Sequence, residues 1–591
     1  MKMMNKTNDQ TIYHVAVPSP LRRLFDYLSP KQLQNVSCNE MLQPGIRVFV
    51  PFGKRELVGI IVGNSKKSSI AISRLKPIKS IIDTKPLIPK HLFDLYIWAA
   101  RYYHNPIGDS LFQSIPSLLR KGKGLPSLET QCWMLTKKGV ELSLSDLSRS
   151  PRKKEFISWL KEKKAITKEE VKQKKISSSI LKKLAEKKLI FLESLPENSY
   201  NFKNKNPLAE KPQNLYPEQQ KALKSINISS FNAYLLFGET GSGKTEVYLQ
   251  AIEKIVCSGK QALVLIPEIS LTPQTLRRFE NRFNTPIVAL HSRLTDKERA
   301  FAWNMARMGK ASIVIGTRSA IFTPLKSPGL IIIDEEHDSS YKQQEGYRYS
   351  ARDLGVIRAQ KESIPIILGS ATPSMESLNN CIENRYTKLT LSCRPEKSFR
   401  PNWLPINIRK SQLINGFSQE LIESIKKVLF EGNQVLIFLN RRGFSPTLSC
   451  YDCGWISNCP NCEARLTVHR KPSRLLCHHC EYTIQVPSTC PSCNSSQLEF
   501  IGQGTERIED TLNVLFPKTP ILRVDRDTTR NKTAMEDLLS VVHSGDSCIL
   551  IGTQMLAKGH HFPDVTLVAI LDADGGLFSP DFRAPERMGQ L

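Results

Sequence analysis

The chain has 591 residues, too many for a single hydrophobic core, and at roughly 100–200 residues per domain it should form three to five domains. Its formal net charge of +27 favours a polyanionic partner such as nucleic acid, although a merely soluble basic surface carries the same charge. It contains no apolar run of the roughly 18–20 residues that a membrane span needs and no hydrophobic signal core, so we expect a cytoplasmic protein without a membrane partner.

The first part of the chain alternates short apolar runs with turns. Between Ile46 and Gly63 the sequence reads IRVFVPFGKRELVGIIVG, a pattern typical of strands joined by tight turns. We therefore predict a small β-rich domain over residues 1–110, whose chemistry the patterning does not indicate.

The segment that follows is strongly basic. Residues 151–212 contain 17 Lys and Arg against 8 Asp and Glu, a net charge of +9. The run FISWL has the spacing of one helix, Thr167 with Glu170 forms the capping box of a second, and SSSILKKLAEKKLIFLES indicates a third followed by a strand. These elements predict a winged-helix domain over residues 111–200, related to helix-turn-helix DNA-binding domains, although a solvated charged bundle has the same pattern.

A polar stretch with prolines, residues 201–214, predicts a linker. Beyond it, the apolar runs AYLLF, ALVLIP, SIVIG, LIIID and PIILG alternate with helical stretches, which indicates a parallel sheet covered by helices. A second series begins at QVLIFLN, is interrupted by a cysteine-rich block and resumes with CILIG and TLVAILD. We expect two α/β lobes, the first over 215–395 and the second over 396–446 and 498–591, with an insertion at 447–497.

A glycine-rich segment lies between the strand AYLLF and a helical run. Its members are Gly238, Glu239, Thr240, Gly241, Ser242, Gly243, Lys244 and Thr245. This is a complete P-loop pattern in the required strand–loop–helix context, so a chance glycine-rich turn is the weaker interpretation. The glycines let backbone N–H groups approach phosphate oxygens, Lys244 reaches the β- and γ-phosphates, and Thr245 holds Mg²⁺.

The strand LIIID ends in the acidic run Asp334, Glu335, Glu336 and His337. Carboxylates at the carboxyl edge of a parallel sheet lie where the phosphates bind. We expect Asp334 to organise Mg²⁺ and Glu335 to orient and deprotonate the attacking water, which with Lys244 makes them the candidate catalytic residues. An acidic strand end alone is usually a solvated turn, but about ninety residues after a P-loop it predicts a Walker B motif.

These motifs resemble those of superfamily 2 helicases, in which DEEH is a variant of the DEAH box. Gln219 in LYPEQQKA resembles the glutamine that contacts adenine, and LIPEISLTPQ and GTRSAIF resemble segments that contact DNA. The run GSAT that begins at Gly369 resembles the coupling motif, and QVLIFLNRRGF and IGTQMLAKGHHFPDV continue the series. The resemblance implies ATP and Mg²⁺ as cofactors, bound by Gln219, the P-loop and the DEEH run.

The segment DSSYKQQEGYRYSARD interleaves aromatic and cationic side chains. Tyr341, Tyr347, Arg348 and Tyr349 are candidates to stack bases and follow phosphates, at about 1–3 kcal/mol per stacked base. The segment resembles the aromatic-rich loop that links single-strand contact to hydrolysis in PriA and RecQ-type helicases. A structural loop with incidental tyrosines is the alternative.

Four cysteine doublets lie within 44 residues. They are Cys450 and Cys453, Cys459 and Cys462, Cys477 and Cys480, and Cys490 and Cys493. Eight thiolates suffice for two closed tetrahedral sites, which predicts two structural Zn²⁺ ions that stabilise an insertion too small for its own core. Spacing leaves the pairing open, an iron–sulfur cluster is a minor alternative, and His469, His478 and His479 are spare ligands.

Eight cysteines within the second lobe narrow the resemblance to the PriA family of primosomal replication-restart helicases. The family implies a nested pairing, with the outer doublets together and the inner doublets together. VAVPSPLRRLFDYLSP and VPFGKRELVGIIVG resemble its domain for the 3′ end of a nascent strand, where Phe25, Asp26, Gly53 and Lys76 match the end-binding pocket. From patterning alone Phe25 would be core and Lys76 surface.

The resemblance covers essentially the whole chain and implies a multidomain α/β fold with two RecA-like lobes. It also implies an ATP-dependent 3′–5′ DNA helicase that recognises stalled or abandoned forks and initiates primosome assembly. Forked and single-stranded DNA, other primosome proteins and single-strand binding protein are the implied partners. A generic helicase is the alternative within the enzyme class.

The family continues beyond the position of Leu591 into a sixth motif and a carboxy-terminal domain. Arginines of that motif would reach the γ-phosphate, and arginine fingers contribute roughly 10³–10⁵ in rate. Arg441, Arg442, Arg583 and Arg587 do not lie at the matching position. We expect a truncated chain that binds nucleotide but hydrolyses it poorly, and a fork-binding scaffold with impaired ATPase is the alternative function.

Overall fold

The structure is a computed structural model. It describes residues 11–30, 42–143, 150–163, 165–167, 170–171, 174, 176–196, 208–267, 273–392, 401–408, 412–414, 416–439, 447–462, 465–470, 473–477, 480–501, 505–524, 540–542, 544–552, 562–571, 573 and 582–590. Two compact units are present: the first is Met1–Glu268, Leu276–Ser370 and Cys381–Cys393, and the second is the remainder. No helix within the described ranges is long and apolar enough to cross a membrane.

The first unit begins with a six-stranded sheet. Its strands are β1 (Ile12–Ala16), β2 (Phe25–Leu28), β3 (Arg47–Phe52), β4 (Arg55–Ser65), β5 (Lys76–Pro77) and β6 (Ser80–Ile81). They are ordered β5-β2-β1-β4-β3-β6, and every pair is antiparallel except β2 with β5. Alternate side chains, among them Tyr13, Val15, Val48 and Val50, fill one core. The predicted β-rich domain is confirmed.

Three helices follow this sheet. They are α1 (Lys90–Tyr102), α2 (Ile107–Gln113) and α3 (Ser117–Arg120). The buried guanidinium of Arg47 donates to both carboxylate oxygens of Asp83, at 2.7 and 2.8 Å, and to the carbonyls of Leu119 and Lys123 at 2.6 and 2.9 Å. The residues after α3 are thereby tied to the sheet. The domain boundary predicted at residue 110 falls inside α2, and no change of composition marks the end of the domain there.

Residues 129–196, which include most of the basic segment, form a small sheet with three helices among the residues that the structure describes. Its elements are β7 (Glu129–Leu135), α4 (Lys137–Glu141), α5 (Pro151–Lys163), β8 (Ala165–Thr167), α6 (Ser178–Glu186) and β9 (Ile190–Pro196). The strands are antiparallel in the order β8-β7-β9. Glu170 N–H donates to Thr167 Oγ1 at 3.1 Å and Thr167 N–H to Glu170 Oε2 at 2.9 Å, the predicted capping box. These elements are compatible with a winged helix, which remains a prediction.

Half of the predicted linker packs on the first lobe. The N–H of Ala209 donates to the carbonyl of Arg282 at 3.0 Å, and the Arg282 guanidinium donates to the carbonyl of Lys211 at 2.8 Å. Residues 208–214 are therefore held in place, a contact that polar composition does not reveal. The other half, 201–207, lies outside the described residues.

The first lobe is a seven-stranded parallel sheet with helices. Its strands are β10 (Ala233–Gly238), β11 (Gln261–Leu265), β12 (Ile287–Leu290), β13 (Ile313–Gly316), β14 (Pro328–Ile333), β15 (Ile366–Ser370) and β16 (Thr387–Leu391). Its helices are α7 (Pro217–Ser225), α8 (Lys244–Cys257), α9 (Pro273–Arg282), α10 (Asp296–Arg307) and α11 (Ala351–Glu362). Helix α12 (Met375–Ile382) follows β15 and belongs mostly to the second unit. The strand order is β12-β13-β11-β14-β15-β10-β16, and all residues of β11, β13 and β15 are buried.

The second unit contains the second α/β lobe. A short hairpin, β17 (Leu413–Ile414) and β18 (Phe417–Ser418), precedes α13 (Gln419–Phe430). The lobe's parallel sheet has the order β25-β26-β19-β27, built from β19 (Gln434–Leu439), β25 (Ile521–Val524), β26 (Ile549–Gly552) and β27 (Val565–Leu571). Among its described residues the other helices are α14 (Thr505–Leu515) and α15 (Ala584–Gly589). Two α/β lobes are thus confirmed.

The cysteine-rich insertion leaves and re-enters the second lobe through one pair of strands. β20 (Thr447–Cys450) and β24 (Leu498–Ile501) are antiparallel, and β21 (Thr467–Arg470), β22 (Ser473–Leu476) and β23 (Thr483–Gln485) form a separate sheet. Its buried core is small and includes Leu448, Leu466, Leu475 and two cysteines. An insertion with so little apolar burial needs further stabilisation.

Candidate functional site

The P-loop joins β10 to the first turn of α8. Gly241 and Gly243 have φ of +86° and +81°, a left-handed conformation that favours glycine. Lys244 donates from Nζ to the carbonyls of Gly238 and Glu239 at 2.8 and 3.3 Å. The buried hydroxyl of Ser242 has no hydrogen-bond partner among the described residues. Backbone amides, a lysine and an orphaned hydroxyl at a helix N-terminus are suited to phosphate oxygens.

Gln219 braces this loop from α7. Its Oε1 accepts from Tyr216 N–H at 2.9 Å, and its Nε2 donates to the carbonyl of Ser242 at 3.0 Å. A Cβ on Gly243 would lie 2.2 Å from that nitrogen, so the close approach also requires glycine. Contact with adenine remains a prediction for Gln219, whose structural role the motif alone did not reveal.

Asp334 lies at the carboxyl end of β14, two strands away from the P-loop strand. Its carboxylate accepts a hydrogen bond from the hydroxyl of Tyr248 on α8 at 3.1 Å. Burial raises the pKa of Asp334, while the nearby Lys244 ammonium and the Tyr248 hydrogen bond lower it. Burial also raises the pKa of Tyr248 well above its usual value, so the phenol remains a donor. Sequence reasoning missed this tyrosine.

The other three members of the DEEH run differ in environment. Glu335 has φ +47°, a strained conformation for a non-glycine residue that is often found at functional sites. Glu336 is buried and pairs with Arg352 at 3.3 Å, a structural role that sequence reasoning missed. His337 Nδ1 lies 2.7 Å from Ser370 Oγ at the end of β15. The run therefore connects the ends of β14 and β15.

The aromatic loop is folded inward. Tyr341, Tyr347 and Tyr349 are 2%, 0% and 5% exposed, and the Tyr347 and Tyr349 rings contact Phe322 at centroid distances of 6.1 and 4.7 Å. Stacking of DNA bases needs an exposed ring face, which none of the three tyrosines offers in this conformation. Base stacking by Tyr341, Tyr347 and Tyr349 remains a prediction that requires the loop to open. Local sequence shows the alternation of aromatic and polar residues but not the distant surface that covers them. Arg348 is exposed, and its DNA contact remains a prediction.

The covering surface comes from the N-terminal helices. Ser350 N–H donates to Tyr103 Oη at 3.2 Å, and the Lys342 ammonium lies 4.9 Å from the centre of the Tyr103 ring. Burial raises the pKa of Tyr103 to about 12. Within the loop, Tyr341 Oη donates to the carbonyls of Asp334 and Leu265 at 2.6 and 3.0 Å. One continuous set of contacts thus runs from α1 to the Walker B strand.

Phe25 and Gly53 lie close together at one end of the N-terminal sheet. Phe25 is partly buried on β2 and packs edge-on against Phe52, with ring centroids 5.0 Å apart. Gly53 follows Phe52 in the tight turn between β3 and β4, where its φ is +60°. The guanidinium of Arg23 lies 5.0 Å above the Phe25 ring. An aromatic face beside a cation suits a nucleotide.

Asp26 and Lys76 lie on neighbouring strands of the same sheet. Lys76 on β5 is exposed and pairs in register with Tyr27, the residue after Asp26. Asp26 is held at both oxygens: Oδ1 is 2.7 Å from His14 Nδ1, and Oδ2 accepts from Ser68 Oγ at 2.5 Å. The structure therefore brings the four predicted end-binding residues to one region, with the carboxylate fixed in orientation.

The eight cysteines form two groups of four. One contains Cys450, Cys453, Cys490 and Cys493, and the other Cys459, Cys462, Cys477 and Cys480. Within each group, sulfur atoms of different doublets lie close together, 3.6 Å apart in the first group and 3.4–3.7 Å apart in the second. Thiolates about 2.3 Å from a tetrahedral zinc are separated by roughly 3.8 Å, so both groups fit the metal. The nested pairing is confirmed; His478 and His479 lie outside the described residues.

Three family models match separate parts of the chain. Residues 14–116 match the PriA 3′DNA-binding domain (3′BD), residues 216–381 the DEAD/DEAH box helicase, and residues 459–484 the PriA DNA helicase Cys-rich region (CRR) domain. These matches include the end-binding region, the nucleotide site and the inner group of cysteines.

Three relatives are similar over almost the whole chain, and each is described as a replication restart protein PriA. That of Haemophilus influenzae is 45% identical over 98% of this chain and 79% of its own length. The Bacillus subtilis protein is 34% identical over 96% of this chain and 79% of its own length. The Chlamydia trachomatis protein is 37% identical over 98% and 78%.

Proposed function

The chain belongs to the PriA family of replication restart proteins, and from this we propose that it is an ATP-dependent DNA helicase acting at stalled or abandoned replication forks. It moves 3′ to 5′ along single-stranded DNA and initiates primosome assembly. The observation that carries the proposal is the meeting of the P-loop helix with the Walker B strand, where Tyr248 and Asp334 are hydrogen-bonded. Such a junction of phosphate-binding loop and partly buried carboxylate is the arrangement that phosphoryl transfer requires.

The nucleotide roles follow from the positions of the side chains. The P-loop amides and Lys244 bind the phosphates, for which the lysine must exchange its bonds to the Gly238 and Glu239 carbonyls. Glu335 orients the attacking water and accepts its proton. Gln219 contacts the adenine base of ATP and connects it to the P-loop.

A magnesium ion fits the same site. Asp334 supplies a partly buried carboxylate and Thr245 a hydroxyl on the first turn of α8, and Mg²⁺ prefers such oxygen donors. Mg²⁺ held by these two side chains would offset the negative charge that develops on the phosphates.

DNA binding is divided among several segments. Phe25, Asp26, Gly53 and Lys76 form the pocket for a nascent 3′ end, with the carboxylate of Asp26 placed to accept a hydrogen bond from a 3′-hydroxyl. Arg348 and the basic segment contact phosphates, in agreement with the net charge of +27. Other primosome proteins and single-strand binding protein complete the assembly.

Two Zn²⁺ ions hold the insertion, one in each group of four cysteines. Four thiolates leave no position for water, so both ions are structural. Their binding free energy contributes to the folding of the insertion.

The test of the proposal separates hydrolysis from DNA binding. Lys244→Ala removes the phosphate-binding ammonium, so we expect single-strand-stimulated ATP hydrolysis to be lost while fork affinity stays within about twofold of the parent. The matched control is Lys254→Ala, in the last turn of the same helix, which should retain hydrolysis. A parent chain that binds forks but has no DNA-stimulated hydrolysis would contradict the helicase function.

A further inference from the structure

The hydroxyl of Tyr248 reaches the Walker B carboxylate from the P-loop helix. Tyr248 follows Lys244 by four residues, so both side chains leave the same face of α8. The tyrosine is 2% exposed, and its hydroxyl donates to Asp334 Oδ1 at 3.1 Å. The P-loop pattern ends at Thr245 and requires no tyrosine at this position.

The contact depends on the absence of a side chain at Gly369. β15 lies between β10 and β14, so the Tyr248 ring must cross it to reach Asp334. A Cβ on Gly369 would lie 1.5 Å from the Tyr248 hydroxyl oxygen and 2.7 Å from the ring carbon that bears it. Gly369 lies in a regular strand, a conformation that any residue adopts. Space for Tyr248, rather than backbone conformation, therefore accounts for glycine here.

The main chain of Asp334 is held as well. Its N–H donates to the carbonyl of Leu265 at 2.9 Å, and its carbonyl accepts from Tyr341 Oη at 2.6 Å. Next to it, Glu336 N–H donates to the carbonyl of Gly369 at 2.9 Å. With the backbone fixed in this way, rotation of the carboxylate is the remaining freedom of Asp334, and the Tyr248 hydrogen bond restricts it.

We propose that Tyr248 is a positioning residue for ATP hydrolysis: its hydroxyl orients the carboxylate of Asp334 towards the nucleotide-bound Mg²⁺, and Gly369 leaves the space for it. This inference rests on the proposed ATPase function. The hydrogen bond joins the P-loop helix, the Walker B strand and the first residue of the GSAT run at one carboxylate. A shift of any of these three segments therefore changes the orientation of the Asp334 carboxylate relative to Mg²⁺.

The first test is Tyr248→Phe, with binding of a fluorescent ATP analogue measured at increasing Mg²⁺ and again in EDTA. We expect the Mg²⁺ concentration for half-maximal binding to rise roughly 10-fold or more, the effect of losing a hydrogen bond to a charged group. Affinity in EDTA and the thermal midpoint should stay near those of the parent. In single-strand-stimulated turnover, kcat should fall more than KM for ATP changes.

Tyr234→Phe is the matched control. Tyr234 is a buried tyrosine on β10 whose hydroxyl accepts a hydrogen bond from Asn227 N–H at 2.8 Å. Like Tyr248→Phe, the variant loses a buried tyrosine hydroxyl in the first lobe, but not one that contacts Asp334. Its Mg²⁺ dependence should equal that of the parent.

The second test is a double-mutant cycle with Gly369→Ala. The added methyl displaces the Tyr248 ring, so Gly369→Ala should raise the Mg²⁺ requirement at least as much as Tyr248→Phe does. The double variant should be no worse than Gly369→Ala alone, because both changes remove one contact; independent roles would multiply the losses. If Gly369→Ala does not fold, the Mg²⁺ dependence of Tyr248→Phe alone tests the proposal.

Two results would overturn the proposal, and only one of them would also overturn the ATPase function. Unchanged Mg²⁺ dependence in Tyr248→Phe, in a parent that shows such dependence, refutes the positioning role and leaves the ATPase function standing. A parent without Mg²⁺-dependent nucleotide binding refutes the ATPase function and the positioning role together.

Discussion

Phe25 distinguishes recognition of a strand end from general affinity for DNA. Its ring is only partly buried and lies beside Arg23 and Phe52. Phe25→Ala should weaken binding to forks with a free nascent 3′ end by roughly 5- to 100-fold, the loss of one stacked base, and binding to plain single strands much less. Fluorescence anisotropy on the two substrates measures this difference. Phe430→Ala, an exposed phenylalanine of the second unit, is the control, and equal losses on both substrates would make Phe25 a packing residue.

Tyr347 carries a buried hydroxyl with no hydrogen-bond partner among the described residues. An unsatisfied buried donor costs about 1–3 kcal/mol, so Tyr347→Phe should raise the free energy of unfolding by about 1 kcal/mol or more. In a unit of this size, that is a rise of roughly 1–2 °C in its thermal midpoint. Tyr96→Phe is the contrasting variant, because its hydroxyl is bonded to the Phe322 carbonyl and its loss should lower the midpoint. A fall for Tyr347→Phe would show that its hydroxyl has a partner.

The sequence alone predicts where some candidate site residues lie in the fold. The P-loop and Asp334 occur at fixed offsets from a strand and a helix, so their positions follow once those elements are recognised. Tyr248 was missed although it had a signal, a tyrosine one turn after Lys244 on the same face. The buried state of Tyr347 could not be predicted, since it depends on Tyr103, which is far away in the chain.

The insertion is the element whose stability depends most on metal. We expect metal analysis to give two zinc ions per chain, and one after replacement of Cys459 and Cys462 by serine, because each group of four cysteines binds separately. The control variant replaces Ser457 and Thr483, two hydroxyl residues of the same insertion, by alanine. It should retain two zinc ions per chain. A parent with a single zinc, or a cysteine variant with none, would contradict two independent sites.

Helices and strands were predicted more reliably than the boundaries of domains and linkers. Apolar runs gave the strands of both lobes, and α5, α6 and β9 lie where the basic segment predicted them. The linker was only half right, because Arg282 binds the Lys211 carbonyl and no local pattern encodes that contact. The cysteine pairing likewise needed the resemblance, since spacing alone allows several pairings.

For the whole molecule, the net charge predicts salt-dependent DNA binding. Each phosphate contact adds about 0.7 to 0.9 to the negative slope of log affinity against log salt concentration. Replacing Lys182 and Lys183, exposed on α6, by serine should therefore reduce that slope by about 2 units if the basic segment binds DNA. The control replaces Lys426 and Lys427, exposed on α13, and removes the same charge. Equal slopes for the two variants would exclude a specific role of the basic segment.

The contact between the end of α1 and the aromatic loop cannot form until both segments have been synthesised. Tyr103 leaves the ribosome 247 residues before Ser350, the residue that bonds to it. At a translation rate of about 5–20 residues per second, Ser350 is synthesised roughly 10–50 s after Tyr103. During that interval the aromatic surface of the nascent chain is uncovered, so we expect chaperones that bind exposed aromatic side chains to act on it before release rather than after it.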